Sequence, residues 1–423
     1  MDSKERIIIK NFFSIKHFDW EIKDFNILTG EMASGKSLCL KLVHFIEQIF
    51  HKNIFFSSIS KDTLTKEVFY NNLADKFDAV FHSIDKKEDF HNTSINYTYN
   101  NSGVIFDLNA KWNNDAENFK WNSEYINERL DEWSSFFSNG NTPDAAKNVR
   151  MQIYERLIQD FSSTFPIGAE FIPASRAIAA IADPSDIPDS FLKNFIKEDK
   201  PFVLNFDDVT DESVNKILHL ENIIINKNKE TNKKTVAAET LDGRMITSLE
   251  FSSGQQELIY LLLLIRNLYQ TSFTYGRSIS IFIEEPSAHL FPHEQKECIE
   301  YIVGIFRELR KSNEKIRFFI STHSPYILNV INNMLKKGYL IEKIDSCSNT
   351  SIKENMLDEI KKLKFPHLNV DEISAHFIQK EVDTMIMKSK NGAYLYEKII
   401  EKITQKIDDD YNQVRDLLHQ FKD

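Results

Sequence analysis

Hydrophobic positions near the start of the chain change from strand-like to helical spacing. Apolar runs at 7–9 and 25–28 flank an alternating run at 18–22, which predicts three β-strands. After a loop bounded by Gly30 and Gly35, apolar residues recur at helical spacing, at Leu38, Leu40, Leu42, Val43, Phe45, Ile46 and Ile49. The pattern therefore predicts a strand, a glycine-bounded loop and an amphipathic helix in that order.

The second half of the chain alternates strands and helices. Helical spacing over 258–269 precedes a buried strand at 278–283, and an amphipathic helix over about 293–311 precedes a strand at 317–322. This alternation predicts an α/β fold with a mainly parallel sheet, flanked by helices. Ligands of such folds bind outside the carboxyl ends of the strands.

The segments between these halves are less regular. The sequence predicts strand pairs at 94–99 with 103–108 and at 223–225 with 235–237. Residues 109–165 are polar, rich in helical spacing and broken at 139–143, which predicts an antiparallel helical arm or, as an open alternative, helices packed on the main core. We divide the chain into a two-lobed α/β head (1–108 and 166–345), this insertion (109–165) and a mainly helical C-terminal region (346–423).

Composition excludes several classes of protein. The 423 residues include only 11 Gly and 10 Pro but 33 Phe, so the chain is neither collagen-like nor a low-complexity linker. The net charge of −11 argues against a surface that coats nucleic acid, although it leaves room for a local basic groove.

The sequence also favours a cytoplasmic protein outside the membrane. The longest apolar run, Leu258 to Ile265, is far shorter than the ~20 residues of a spanning helix, and the first residues lack a signal peptide. Cys39, Cys298 and Cys347 are too scattered to predict a zinc site or a disulfide framework.

A phosphate-binding motif follows the third predicted strand. The sequence G-x4-G-K-S predicts a loop whose backbone N–H groups surround a phosphate at the start of a helix. Lys36 is expected to reach the β- and γ-phosphates, and Ser37 to offer its hydroxyl to Mg²⁺. The candidate nucleotide-binding residues are Gly30, Glu31, Ala33, Ser34, Gly35, Lys36, Ser37 and Leu38.

Polar residues follow two later strands. Glu284 and Glu285 end the strand at 278–283, and neighbouring strand residues face opposite sides. Glu284 is therefore a candidate metal ligand, and Glu285 a candidate for polarising the water that attacks the γ-phosphate. His323 follows the strand at 317–322, where it could bind the γ-phosphate. The candidate catalytic residues are Lys36, Glu285 and His323.

A second anion-binding corner opens the helix that carries Leu258. Ser252, Ser253, Gly254 and Gln255 combine hydroxyls, a glycine and free helix N–H groups. The alternative interpretation is an ordinary helix N-cap. One nucleotide has little use for two such corners, so this one is expected to contact the γ-phosphate held by another copy of the chain.

Together, the phosphate loop, SSGQQ, IFIEEPSAHLFP and FFISTHSPY resemble the ATP-binding-cassette heads of structural-maintenance-of-chromosomes and overcoming-lysogenization-defect ATPases. The resemblance covers roughly 5–60 and 165–340. It implies an ATPase that uses ATP and Mg²⁺ and forms a head-to-tail homodimer or higher oligomer. It places Ser253 and Gly254 in the signature, Glu284 at the metal-binding acid, Glu285 at the catalytic glutamate, His323 at the switch histidine and 286–289 in the loop that crosses the dimer interface.

Three segments, FIPASR at 171–176, LDGR at 241–244 and the EEPSAHLFP already named, resemble anti-phage defence ATPases of the Septu, retron-associated and PARIS type. The resemblance implies a sensor or regulator paired with a separate effector such as a nuclease, and DNA as a further partner. A slowly hydrolysing scaffold is the alternative, and a transporter subunit is disfavoured.

The sequence departs from the family pattern at three places. The signature reads SSGQ rather than SGGQ, and no glutamine between Gln48 and Gln152 matches the usual glutamine-bearing loop. The 79 residues from Asp345 to Asp423 are too few for a toprim nuclease domain, so a nuclease is expected on another chain. Asp408, Asp409 and Asp410 are interpreted as a solvated helix face.

Three assignments stay open. Arg176 could bind a phosphate or anchor a buried carboxylate, and Phe12 and Phe13 could stack near the adenine or belong to the core. Basic residues of the insertion could form a DNA-facing groove or simply solvated helix faces; they are Lys111, Lys120, Arg129, Lys147 and Arg150.

Overall fold

The computed structural model describes residues 4–49, 65–81, 90–101, 104–114, 118–137, 143–161, 168–174, 212–227, 234–247, 249–275, 279–311, 316–379, 382–389 and 392–395. The strands are β1 (Lys4–Phe12), β2 (Ile15–Ile22), β3 (Phe25–Gly30), β4 (Ser94–Asn101), β5 (Val104–Asn113), β6 (Asn118–Asn122), β7 (Gly168–Ile172), β8 (Leu220–Lys227), β9 (Lys234–Thr240), β10 (Met245–Thr247), β11 (Ile279–Glu284), β12 (Ile316–Thr322), β13 (Ile373–Ile378), β14 (Asp383–Thr384), β15 (Ile386–Ser389) and β16 (Gly392–Leu395). The helices are α1 (Lys36–Gln48), α2 (Lys66–Phe81), α3 (Glu124–Ser135), α4 (Pro143–Phe161), α5 (Glu212–Ile217), α6 (Ser253–Tyr275), α7 (Pro292–Lys311), α8 (Pro325–Asp345) and α9 (Thr350–Lys362).

A six-stranded sheet in the order β14-β13-β3-β12-β11-β7 forms the centre of the molecule. Its strands are parallel except for β14, which pairs antiparallel with β13. The carboxyl ends of β3, β12 and β11 therefore lie side by side at one edge. The phosphate loop, His323 and the two glutamates follow these three ends.

Two hydrophobic cores cover the faces of this sheet. Successive strand residues alternate between them: Phe282 and Phe319 enter the first core, whereas Ile281 and Ile320 enter the second. The first core contains α1 to α4 and the antiparallel sheet β2-β1-β4-β5-β6; the second contains α5 to α8 and residues of the antiparallel sheet β10-β9-β8. The alternation explains why β11 and β12 are buried along their whole length: both their faces are covered.

A buried ion cluster connects the two larger sheets at the opposite end of the strands. Arg317 at the start of β12 bonds Glu5 of β1, and its Nη2 lies 2.5 Å from the Glu47 carboxylate at the end of α1. Ser280 Oγ accepts from Arg317, and the Tyr97 hydroxyl donates to Glu5 at 2.7 Å. The cluster therefore fixes α1, and with it the phosphate loop, to β12.

The insertion at 109–165 differs from an isolated helical arm. Its first residues form the end of β5 and all of β6, which pair antiparallel in the five-stranded sheet. Both α3 and α4 bury apolar side chains in the first core. The reason is the aromatic content of these helices, which needs a hydrophobic partner that the sheet provides. The alternative of packing on the main core is the one observed.

The C-terminal region also departs from the predicted boundary at 345. Its described part contains α9 but also β13, which lies beside β3 in the central sheet with Ile378 opposite Gly30. The α/β head therefore extends beyond residue 345. The final helices predicted from the sequence, including Asp408 to Asp410, lie outside the described residues. Among the residues described, no helix combines the length and apolarity needed to cross a bilayer.

Candidate functional site

The phosphate loop connects β3 to α1 as the sequence predicts. Gly30 has φ 151°, and a Cβ there would lie 2.3 Å from the carbonyl oxygen of Ile378. Gly35, the N-cap of α1, has φ 104°, and its Cβ would lie 2.8 Å from Ser14 Oγ. Both glycines are therefore required by conformation and by close neighbours.

The remaining candidate loop residues differ in exposure. Glu31, Ala33 and Ser37 are exposed, and Ala33 has a left-handed φ of 57°. Ser34 is half-buried, and its carbonyl oxygen accepts from Ser14 Oγ at 3.2 Å. Leu38 packs against the first core. The side chains of Glu31 and Ser37 thus face the solvent, while Leu38 holds the start of α1 on the first core.

Lys36 is folded back onto its own loop. Its Nζ donates to the carbonyl oxygens of Gly30 at 2.9 Å and Glu31 at 2.8 Å. Burial lowers the pKa of Lys36, and the nearby Glu285 opposes that decrease. The amine therefore lies within electrostatic reach of the residues after β11, where a phosphate could replace the carbonyl oxygens as its partner.

Glu285 and His323 bond directly to each other. Glu285 has a left-handed φ of 46°, and its N–H donates to the carbonyl of Ser321 at 2.9 Å. The Glu285 carboxylate accepts from the backbone N–H of His323 at 3.3 Å and lies 2.8 Å from His323 Nδ1. The strained turn brings the carboxylate from β11 across to the end of β12.

The environment of His323 favours a neutral ring. Burial lowers the pKa of His323, and the positive charge of Lys36 lowers it further. An ionised carboxylate can only accept, so a neutral His323 donates through Nδ1 and keeps Nε2 as an acceptor. In this arrangement the ring is bound to Glu285 and Nε2 carries no proton to donate.

Glu284 is the last residue of β11, whereas Glu285 lies in the left-handed turn that follows the strand, so the two carboxylates have different partners. The Glu284 side chain is buried, and its Oε2 accepts from the backbone N–H of Ala174 at 3.2 Å. The described residues contain no group of three His, Cys, Asp or Glu that could enclose a metal ion. Ser37 and Glu284 offer a hydroxyl and a carboxylate oxygen, which are ligand types of an Mg²⁺ ion that takes only one or two protein ligands and completes its shell with phosphate oxygens and water.

Ser252 and Gln255 form a reciprocal cap at the start of α6. Gln255 N–H donates to Ser252 Oγ at 3.3 Å, and Gln255 Oε1 accepts from the Ser252 N–H at 3.0 Å. This is a capping box, so the N-cap interpretation describes the local structure. Gln255 Nε2 also donates to the carbonyl of Leu218 at 2.9 Å, while Ser253 stays exposed.

Gly254 packs against the loop that follows Glu285. A Cβ at this position would lie 3.2 Å from Leu290 Cδ2 and 3.5 Å from the carbonyl oxygen of His289. The predicted signature therefore contacts the predicted interface-crossing loop within one chain.

Three residues near the site have no role in the sequence prediction. Ser14 supports the phosphate loop from the β1–β2 turn, and Gln295 bonds Ser324 directly after the candidate histidine. Ala174 reaches Glu284 from the end of β7. These contacts join residues far apart in sequence, so no local motif predicts them, even though Ala174 lies within the FIPASR segment.

The open assignments are resolved in part. Phe12 is fully buried and the half-buried Phe13 packs on Phe90 with centroids 4.8 Å apart, so both belong to the core. Arg176 lies outside the described residues. Lys111 and Lys120 pair across β5 and β6 rather than on helices, and Arg129 bonds Asp160 at 3.2 Å. The side chains of Lys147 and Arg150 are outside the described set.

Residues 185–328 match the family described as "AAA ATPase domain". The comparison with curated proteins gives no match. Among solved structures, the chain is similar to the Smc head domain derived from Pyrococcus furiosus, whose structure has it bound to the C-terminal domain of ScpA, with 12% identity, 96% of this chain and 100% of that chain covered and a TM-score of 0.41.

Two other solved structures are similar at comparable levels. The SMC head domain from Thermotoga maritima is 11% identical, with 93% and 98% of the two chains covered and a TM-score of 0.35. The recombination mediator protein RecF of the RecFOR pathway is 13% identical, with 91% and 98% covered and a TM-score of 0.33. At these TM-scores the likenesses support no functional statement.

The predicted fold class is confirmed. The central sheet is mixed and flanked by helices, the phosphate loop joins a strand to a helix, and the matched family is an ATPase domain. This is the fold of an ATPase head, with a larger C-terminal contribution to its sheet than the sequence predicts.

Proposed function

We propose that the chain binds ATP in the phosphate loop and hydrolyses it to ADP and phosphate. The observation that carries the proposal is the direct bond between Glu285 and His323. The bond lies beside Lys36, at the edge of the sheet where β3 ends and the phosphate loop begins. A carboxylate that can activate water and an amine that can bind phosphate are recurring groups at sites of phosphoryl transfer to water, and His323 adds a second contact for the γ-phosphate.

In the reaction, a water oxygen attacks the γ-phosphorus while the bond to the β–γ bridging oxygen breaks, and ADP leaves with that electron pair. Glu285 accepts the proton of the attacking water. Lys36 neutralises charge on the β- and γ-phosphate oxygens after releasing its own loop carbonyls. Ser37 and Glu284 would hold Mg²⁺, which would neutralise further phosphate charge when bound.

The bond between His323 and Glu285 makes phosphate binding and base activation mutually dependent. To donate to a γ-phosphate oxygen from Nε2, a neutral His323 has to shift its proton away from Nδ1. That shift breaks the ring's hydrogen bond to Glu285 and leaves the carboxylate able to accept from water. The γ-phosphate therefore recruits the base that acts on it.

We propose further that two copies associate head-to-tail, with Ser253 and Gly254 contacting the ATP of the partner. In support, several of the most exposed large apolar side chains flank the candidate motifs: Met32 in the phosphate loop (85%), Leu249 before the signature (68%) and Phe291 after the loop from Glu285 (78%). Burial of such side chains between two copies is favourable, and ATP contacts would add to it.

The biological role proposed is that of a sensor or regulator of a separate effector, such as a nuclease, in anti-phage defence. It rests on the sequence resemblance. DNA remains a proposed partner, supported by the exposed Lys111 and Lys120, which face each other across β5 and β6. A gel-shift series in increasing salt tests it, because phosphate contacts weaken steeply as salt rises. Binding that is absent, or unchanged by salt, would reject DNA contact through these lysines.

A second candidate function is a scaffold that hydrolyses ATP slowly and whose assembled state is its product. The engagement of Glu285 by both donors of His323 favours it, because the base has to be released before each turnover. The two functions differ in rate, so a measured turnover number separates them.

The experiment that tests the proposed function compares Glu285→Gln with Glu308→Gln, an equivalent change on the exposed surface of α7. We expect Glu285→Gln to keep ATP affinity, to lose hydrolysis by a factor of about a hundred or more and to accumulate as an ATP-bound dimer in light scattering. Glu308→Gln should match the wild type. Unchanged hydrolysis in Glu285→Gln would reject the catalytic assignment, and monomers with ATP bound would reject the dimer.

A further inference from the structure

Gln295, on the first turn of α7, bridges two loops of the candidate site. Only 9% of the residue is exposed, and its side chain uses both of its polar groups. Its Oε1 accepts from Ser324 Oγ at 2.5 Å, and its Nε2 donates to the carbonyl of Leu290 at 2.8 Å. Because buried amides are costly without partners, this pair of bonds fixes the distance between the two loops.

One end of the bridge belongs to the candidate histidine turn. Ser324 directly follows His323, and its N–H donates to Thr322 Oγ1 at 3.0 Å. The neighbouring His323 N–H donates to Glu285. A displacement of His323 therefore acts on Ser324 through the shared peptide bond.

The other end belongs to the loop that supports the signature. Leu290 Cδ2 would be 3.2 Å from a Cβ on Gly254, so the two residues are in close contact. The Leu290 N–H donates to Ser287 at 3.2 Å, and His289 has a left-handed φ of 60°. The loop from Glu285 to Leu290 is thus held at one end by His323 and at the other by Gln295.

We propose that Gln295 is a positioning residue that couples the histidine of one nucleotide site to the signature surface offered to the other. This rests on the proposed function, in which His323 serves the chain's own ATP and Gly254 the partner's. When His323 moves toward the γ-phosphate, Ser324, Gln295 and Leu290 transmit the movement to Gly254. The two sites of a dimer then hydrolyse ATP cooperatively, because each site sets the shape of its neighbour.

Gln295→Glu severs one bond of the bridge while keeping its size and its other bond. The carboxylate still accepts from Ser324 Oγ, but it cannot donate to the Leu290 carbonyl. Ser324→Ala severs the opposite bond. It also removes the N-cap contact to Ile327 N at 3.5 Å, so thermal unfolding is measured beside the kinetics to separate a loss of α8 stability from the loss of the bridge. Gln159→Glu, an identical change at an exposed position of α4, is the control.

The measurements are the ATP dissociation constant, KM, kcat, the Hill coefficient of ATP hydrolysis and the midpoint of thermal unfolding. We expect a wild-type Hill coefficient between one and two. Gln295→Glu and Ser324→Ala should each reduce it to one and lower kcat about tenfold, with the dissociation constant within about twofold. The double variant should be no worse than either single variant, because both break the same bridge. Gln159→Glu should behave as wild type.

Three outcomes would overturn the proposal: a wild-type Hill coefficient of one, a Gln295→Glu variant that keeps wild-type cooperativity, or variants that lose ATP binding together with thermal stability. The last would assign Gln295 a purely structural role. A wild-type protein whose hydrolysis is absent, or insensitive to Glu285→Gln, would instead reject the proposed function itself.

Discussion

His323 donates to the Glu285 carboxylate twice, from its backbone N–H at 3.3 Å and from its ring Nδ1 at 2.8 Å. The two residues directly follow neighbouring parallel strands, and the left-handed turn at Glu285 brings its carboxylate across to His323. One donor belongs to the backbone and persists in any substitution except proline. The other belongs to the ring, and it is lost when a group that accepts a hydrogen bond at Nε2 shifts the ring proton from Nδ1 to Nε2.

The first prediction concerns His323→Ala. Removing the ring leaves Glu285 with its backbone donor but removes the group that would bind the γ-phosphate. We expect kcat to fall by about a hundredfold with KM within about threefold, because the lost contact forms chiefly in the transition state. Steady-state kinetics, with His17→Ala on the exposed face of β2 as control, measure this. A raised KM with unchanged kcat would instead assign His323 to substrate binding.

The second prediction follows from the lowered pKa of His323. Because the shift is downward from 6.5, the ring is neutral at pH 7 and above and gains charge only on the acid side. A charged ring would hold Glu285 more tightly and slow hydrolysis. The ratio of wild-type kcat to that of His323→Gln should be constant from about pH 7 to 8 and decline below about pH 6.5. A ratio that changes only above pH 7 would contradict the direction of the shift.

The third prediction tests Lys36. Its amine is held by the loop carbonyls at 2.9 and 2.8 Å, and ATP phosphates would replace them. Lys36→Ala should therefore weaken ATP binding by about a hundredfold or more, since a close charge contact is lost. Titration with a fluorescent ATP analogue measures it, and Lys41→Ala on the same helix is the control. Affinity within about threefold of wild type would contradict a role for Lys36 in phosphate binding.

The sequence was sufficient for those parts of the site that lie within one motif. The strand, loop and helix around Gly30 and Gly35 follow from local spacing, and the glutamate pair and His323 follow from the ends of two apolar strands. Each of these segments is short, and its hydrophobic pattern follows from the burial of both faces of the sheet.

Contacts between distant segments could not be predicted in this way. β13 pairs with β3 although most of the chain separates the two strands in sequence. The apolar residues of β13 are equally compatible with a buried helix. The aromatic residues of α3 and α4 indicate that these helices pack on another surface, but they do not indicate which surface. The Glu285–His323 bond depends on a left-handed backbone conformation at Glu285. The sequence does not predict that conformation, because it is uncommon for residues other than glycine.

The fourth prediction concerns the ion cluster around Arg317. Burial raises the pKa of Glu47 above its ordinary 4.5, against the opposing attraction of Arg317. The folded protein therefore keeps a proton that the unfolded chain loses, and this contribution to stability decreases as the pH rises from 4.5 through the raised pKa. In urea unfolding at about pH 5 and 7, Glu47→Gln should reduce the pH-dependent loss by up to about 1.4 kcal/mol per pH unit. Equal pH dependence in both proteins would contradict the shift.

The fifth prediction compares two glycines in neighbouring helices. Gly338 of α8 packs so closely on the C-terminal region that a Cβ would lie 2.1 Å from the carbonyl oxygen of Leu368. The N–H of Leu368 also donates to the carbonyl of Met334, on α8, at 3.2 Å. Gly338→Ala should therefore lower the free energy of unfolding by about 1–3 kcal/mol, because helix and segment have to separate. Gly304 of α7 has no heavy atom within 4 Å of its Cβ position, so Gly304→Ala should raise stability by about 0.5–1 kcal/mol through helix propensity. Urea unfolding measures both. Stabilisation by Gly338→Ala equal to that by Gly304→Ala would show that the segment around Leu368 does not pack on α8.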